Sequence, residues 1–175
     1  MKKKLRGVIS FAVTVAVLVG VLKVMNWLPT ALDQGMMRPY QGIEEVRARL
    51  GIREIYVPSY FPETIKWPPE ELLAQKTPYE AVVMKFARSG QGDTGLIITQ
   101  ARSADFDYEA GMGLEEVRER VPLDLKGREA VLEAGICEDG SPCSRLSWTE
   151  GGLHMRVAMK AQPPQVIRLA ESMLK

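Results

Sequence analysis

The sequence predicts an α+β protein: a single N-terminal transmembrane helix, then one domain with an antiparallel sheet and a packed C-terminal helix. Three observations carry this. Val8 to Leu22 runs fifteen residues without a charge. Between Arg128 and Lys160, segments of alternating polarity are separated by turn residues, as hairpins require. Past Pro163-Pro164, the residues Val166, Ile167, Ala170 and Met173 make an apolar stripe at helical spacing.

The apolar run is interrupted by Lys23 and completed by Val24 to Leu28. Residues 7–28 thus offer about 22 residues, or about 33 Å of helix, against a hydrocarbon core of about 30 Å. Lys23 can snorkel to the headgroups, and Trp27 suits the interface. A cleaved secretory signal is the alternative, but Leu22 to Trp27 lacks the small residues that cleavage wants. Lys2, Lys3, Lys4 and Arg6 precede the span and hold the N-terminus in the cytoplasm. The expected layout is a head and anchor over 1–28, a stalk over 29–41 and an exported domain over 42–175. The expected place is the cytoplasmic membrane, with the domain on its far side, in the periplasm or outside.

The chain of 175 residues leaves about 130 for that domain, enough for one real core. Net charge is +1, and the basic head accounts for several of the positive charges, so the exported part is slightly acidic. That argues against nucleic acid.

Ile43, Val46 and Leu50 recur at helical spacing ahead of Gly51, which predicts a helix over 43–50. Ile52 to Val57 reads as a short strand, Pro58 to Pro62 as a rigid turn, and Pro68-Pro69 as the start of a short helix through Leu73 or Ala74. Tyr79–Ala87 and Leu96–Ala101 form the first hairpin, connected through Gly90 to Asp93. Residues 101–113 read as a polar loop, and 113–121 as one or two helical turns with Leu114, Val117 and Val121 on one side. Strands follow over 128–136, 144–149 and 153–160; in the last, Leu153, Met155, Val157 and Met159 share one face.

Cys137 and Cys143 flank a turn. In an oxidising compartment they read as a disulfide, worth about 2 kcal/mol at most for so short a loop. A metal site lacks ligands: His154 is the only histidine, and the cysteine spacing fits no common zinc knuckle.

Val57-Pro58-Ser59-Tyr60-Phe61-Pro62, Gly127-Arg128-Glu129-Ala130, Leu146 to Gly152 and Leu169 to Met173 resemble the motifs of a family of bacterial exported domains of unknown function. Its members are membrane-anchored and lipoprotein-like proteins, some similar to anti-sigma factors and envelope-stress regulators. The resemblance spans most of residues 52–174 and implies no catalytic residues. Only six residues precede the span, too few for a sigma-binding domain.

No Ser-His-Asp set can be assembled from spacing, and no cofactor motif is present. His154 reads as a surface residue on the polar side of its strand. Asp105, Asp107 and Glu109 could gather calcium, but the glycine and final glutamate of a calcium loop are not in place, so a solvated loop is expected. Met155 and Met159 belong to the core before a copper site. Trp148 and Trp67 read as core or core-rim anchors. The aromatic stretch holding Tyr56, Tyr60, Phe61 and Trp67 is the best candidate for a partner surface, with a packed connector as its alternative. The functional expectation is a non-catalytic interaction module or accessory subunit of a membrane protein complex, tethered to the bilayer through residues 7–28. The rivals are an envelope-stress sensor, a lipid- or peptide-binding domain, or an envelope hydrolase.

Overall fold

A computed structural model describes residues 37–108 and 112–174. The expected anchor and most of the stalk lie outside the described residues. Among those described, no helix is long and apolar enough to cross a membrane.

In the described residues eight strands form one antiparallel sheet: β1 (Arg38–Tyr40), β2 (Glu71–Gln75), β3 (Ala81–Ala87), β4 (Thr94–Ala101), β5 (Leu114–Asp124), β6 (Glu129–Cys137), β7 (Pro142–Glu150) and β8 (Leu153–Met159). Their spatial order is β1-β2-β3-β4-β8-β7-β6-β5. Among the described residues two helices accompany them, α1 (Ile43–Leu50) and α2 (Pro163–Glu171). The end of the expected stalk is therefore part of the sheet, since Arg38 to Tyr40 pair with Ala74 to Leu72.

Period-two alternation gives the sheet two faces. On the first face a row runs across seven strands: Leu72, Met84, Ile98, Val157, Leu146, Leu132 and Val121. All but Val121 are buried, beneath α1, α2 and the segment over 52–65. Helix α1 is bounded as its sequence demands. Glu44 and Glu45 lie at its positive end, and Gly51 closes it at φ 71°, a left-handed turn that glycine adopts freely. Helix α2 starts on prolines and buries Val166, Leu169 and Ala170; Met173, expected in the same helix, is buried just past its end. Ile167, expected in that stripe, is only half-buried, and Leu169 takes the central place.

Three expected elements differ. Residues 52–57 are irregular rather than a strand. Residue 100 stands in for strand pairing there: the buried Gln100 amide accepts from the Tyr56 N–H at 2.8 Å and donates to the Tyr56 carbonyl at 2.5 Å. The expected helix after Pro68-Pro69 is strand β2, because Leu72, Leu73 and Ala74 are buried on both faces. The expected helical turns over 113–121 are strand β5. Its side chains are exposed on both faces, and irregular register at Leu114/Glu116 and Val117/Glu119 breaks the alternation.

Candidate binding groove

The second face of the sheet divides in two. Over β2, β3 and β4 it is buried: Leu73, Val83, Ile97 and Thr99 are shielded from solvent. The loop after β4 lies against this region and is not merely solvated. Phe106 meets Tyr79 edge-on at 6.0 Å, Tyr108 lies 5.1 Å from the Lys85 ammonium, and Asp107 pairs with Arg156.

Beyond that loop the second face is open, and a groove of about 790 Å³ runs over β8, β7, β6 and β5. Register explains its floor. Thr99 stands opposite Arg156, Arg156 opposite Ser147, Ser147 opposite Val131, and Val131 opposite Pro122. One step along each strand, His154 faces Thr149, and Glu129 faces Asp124. Phe106 and Ala104 line the β4 side, Pro122 the β5 side. A volume of this size is typical of small-ligand sites. The row on the other flank is occupied internally: Glu133 accepts from Arg145 at 2.7 Å and lies 3.7 Å from Arg120.

The groove gathers hydroxyls, an imidazole, a guanidinium and carboxylates on an apolar-edged floor. Arg156 already holds a carboxylate, that of Asp107. The Asp124 carboxylate accepts the Gly127 N–H at 2.9 Å, and Glu129 is exposed opposite it. Among the described residues no cluster of three His, Cys, Asp or Glu side chains is arranged to hold a metal ion. Glu109, the last of the three carboxylates weighed for calcium, lies outside the described residues.

The four aromatic residues weighed as a partner surface lie elsewhere, on the side of the first face. Tyr56 is held by Gln100; burial, with Glu150 and Glu54 nearby, pushes its hydroxyl pKa up. Tyr60 lies under the Arg168 guanidinium at 4.0 Å, and its N–H donates to the Ser172 hydroxyl. Phe61 packs on the buried Phe86 at 5.2 Å. Trp67 stacks 6.1 Å from Phe86 yet stays 54% exposed. Three of the four thus pack into the connector, and Trp67 alone presents a large aromatic surface.

Cys137 and Cys143 are joined as a disulfide with Cα atoms 5.5 Å apart. Their turn carries Asp139 to Lys160, which it meets at 2.7 Å; Lys160 also donates to Asp93 at 3.0 Å, and Asp93 pairs with Arg88 at 2.6 Å. The Arg88 and Lys160 cations hold the Asp93 carboxyl well below the usual carboxylate range, and Lys160 with Ser141 does the same for Asp139.

Sequence reasoning placed His154 and Arg156 on a polar strand face but missed the groove. Its members come from five strands, and only the register of β4, β8, β7, β6 and β5 assembles them. Comparison with protein-family models, curated proteins and solved structures finds no match to this chain.

Proposed function

We propose that this chain is a membrane-tethered interaction module of the bacterial envelope, an accessory subunit of a membrane complex, with the second-face groove as its binding surface. The carrying observation is the half-covered second face. A sheet that covers its second face over β2 to β4 leaves it open over β5 to β8, with convergent polar groups and a volume suited to a ligand or a partner segment. The apolar span over 7–28 and its basic head support the tether.

The test is site-specific photocrosslinking of the full-length chain in its native membrane. A crosslinker at exposed Thr149, inside the groove, is compared with one at exposed Arg49 on α1. A discrete adduct from position 149 and none from 49 is expected. Adducts from 49 alone, or from neither, would overturn the reading.

A further inference from the structure

We infer that the groove takes a short extended peptide of three to five residues with free ends, its carboxylate on Arg156 and its amine against Glu129 and Asp124. This rests on the groove being the binding surface, and it assigns the chemistry of the occupant. The first observation is that Arg156 already works as a carboxylate seat. Its side chain is a quarter exposed, and its guanidinium holds Asp107, whose own side chain is 57% exposed. An arginine fork offers paired donors to any carboxylate, so a ligand carboxylate can replace Asp107 without a new site being built.

The second observation is the opposite charge at the far side. Asp124 and Glu129 are direct cross-strand partners, and like charges in that position repel unless something cationic lies between them. Neighbouring cations are committed: Arg128 pairs with Glu150 at 2.6 Å, and Lys126 donates to the Glu171 carbonyl at 3.1 Å. A ligand ammonium would relieve the pair.

The third observation is the spacing between the two charges. Arg156 on β8 and Glu129 on β6 are two strands and two residues apart. At about 4.8 Å per strand and about 3.4 Å per residue, their Cα atoms lie about 12 Å apart, and Asp124 is about 16 Å away. An extended peptide covers that span with three to five residues. Arg156 turns its guanidinium to Asp107, in the loop on the β4 side and away from Glu129, so a single amino acid, its two charges one residue apart, does not span from that guanidinium to Glu129. Between the ends, the Ser147 and Thr149 hydroxyls face the groove and can bond to a peptide backbone, while Phe106 and Pro122 bound it with apolar surface.

The experiment is ligand-observed saturation-transfer NMR on the full-length chain in nanodiscs, with tetraalanine as probe. Free-ended tetraalanine should bind. Its N-acetylated, C-amidated form and free alanine should each bind at least tenfold more weakly. Arg156→Gln should weaken free-ended binding at least tenfold, and Glu129→Gln severalfold. Asp107→Asn, which removes the internal competitor, should strengthen it severalfold, an effect that a merely structural role for Asp107 would not produce. If Arg156→Gln does not fold, Glu129→Gln, a change at an exposed position, and Asp107→Asn decide. Equal binding of the capped peptide, or indifference to these substitutions, would overturn the inference. Failure of tetraalanine to bind alongside a crosslink at position 149 would refute the peptide and leave the interaction module standing. Failure of both would refute both.

Discussion

Replacing Gln100 tests the least conventional contact in the core. Its side chain is 2% exposed, and its amide satisfies both backbone groups of Tyr56. Gln100→Leu keeps the size and removes both bonds, leaving an N–H and a carbonyl without partners where water is scarce. At about 1–2 kcal/mol for each stranded group, the loss is about 2–4 kcal/mol. Gln100→Glu sharpens the test. An ionised carboxylate can still accept from the Tyr56 N–H, but it cannot donate to the Tyr56 carbonyl and faces it with negative charge. Burial and the donor role both favour the protonated form, so the folded pKa is raised above the unfolded value of about 4.3. The folded state then binds the extra proton. Relative to wild type, stability is fully regained below about pH 4 and is lost as pH rises through the folded value. Urea melts of the full-length chain in detergent, followed by tryptophan fluorescence and compared with wild type at each pH, measure both. A Gln100→Leu effect under about 0.5 kcal/mol, or a Gln100→Glu deficit that does not shrink on acidification, would refute the clamp.

Three further outcomes are expected. Leu169→Ala, at a fully buried position, should cost about 2–5 kcal/mol in the same melts, and Ile167→Ala clearly less; the reverse order would mean α2 is rotated about its axis. Gly135→Ala should destabilise the β5–β6 pair, because a Cβ there would fall inside contact distance of the Glu116 carbonyl oxygen; hydrogen exchange in β5 should accelerate, and unchanged protection would contradict the close approach. Asp93 and Asp139 titrate below the usual range, so their contribution is present above about pH 4 and fades as pH falls below it. Lys160→Met should flatten that acid dependence, and an unchanged slope between pH 2 and 5 would remove Lys160 from the network.

What could be read from the sequence follows from how local each signal is. Leu153, Met155, Val157 and Met159 alternate because one side of β8 is buried, and the structure places all four in the core. The bounds of α1 were legible because the spacing of Ile43, Val46 and Leu50 and the stop at Gly51 are local to the element. Strand β5 was not. Leu114, Val117 and Val121 satisfy helical spacing, and a strand with both faces in water has no alternation to contradict it; Val117 remains 47% exposed. Strand β2 was hidden behind two prolines and by burial on both sides, which erases period two. The groove was out of reach for another reason. Thr99, Arg156, Ser147 and Val131 are neighbours only after four strands have found their register; Thr99 alone reads as part of a covered strand, and the other three are half-buried residues. Phe106 and Tyr108 gave a hint, two aromatic side chains in a loop otherwise rich in charge.

The strand order carries a consequence for how the chain is made. Strands β1 to β4 are laid down in sequence as one meander and β5 to β8 as another, and the two meet only where β4 pairs with β8. Strand β4 is buried along nearly its whole length, yet its second neighbour is the last strand to be synthesised. From the time residue 101 leaves the ribosome or a translocation pore until residue 159 follows, the first meander presents a long, apolar, unpaired edge. Such an edge invites pairing with another copy of itself. Chains that terminate before Leu153 should therefore aggregate rather than persist as a folded half. A helper that binds nascent chains would have its greatest effect during those 58 residues.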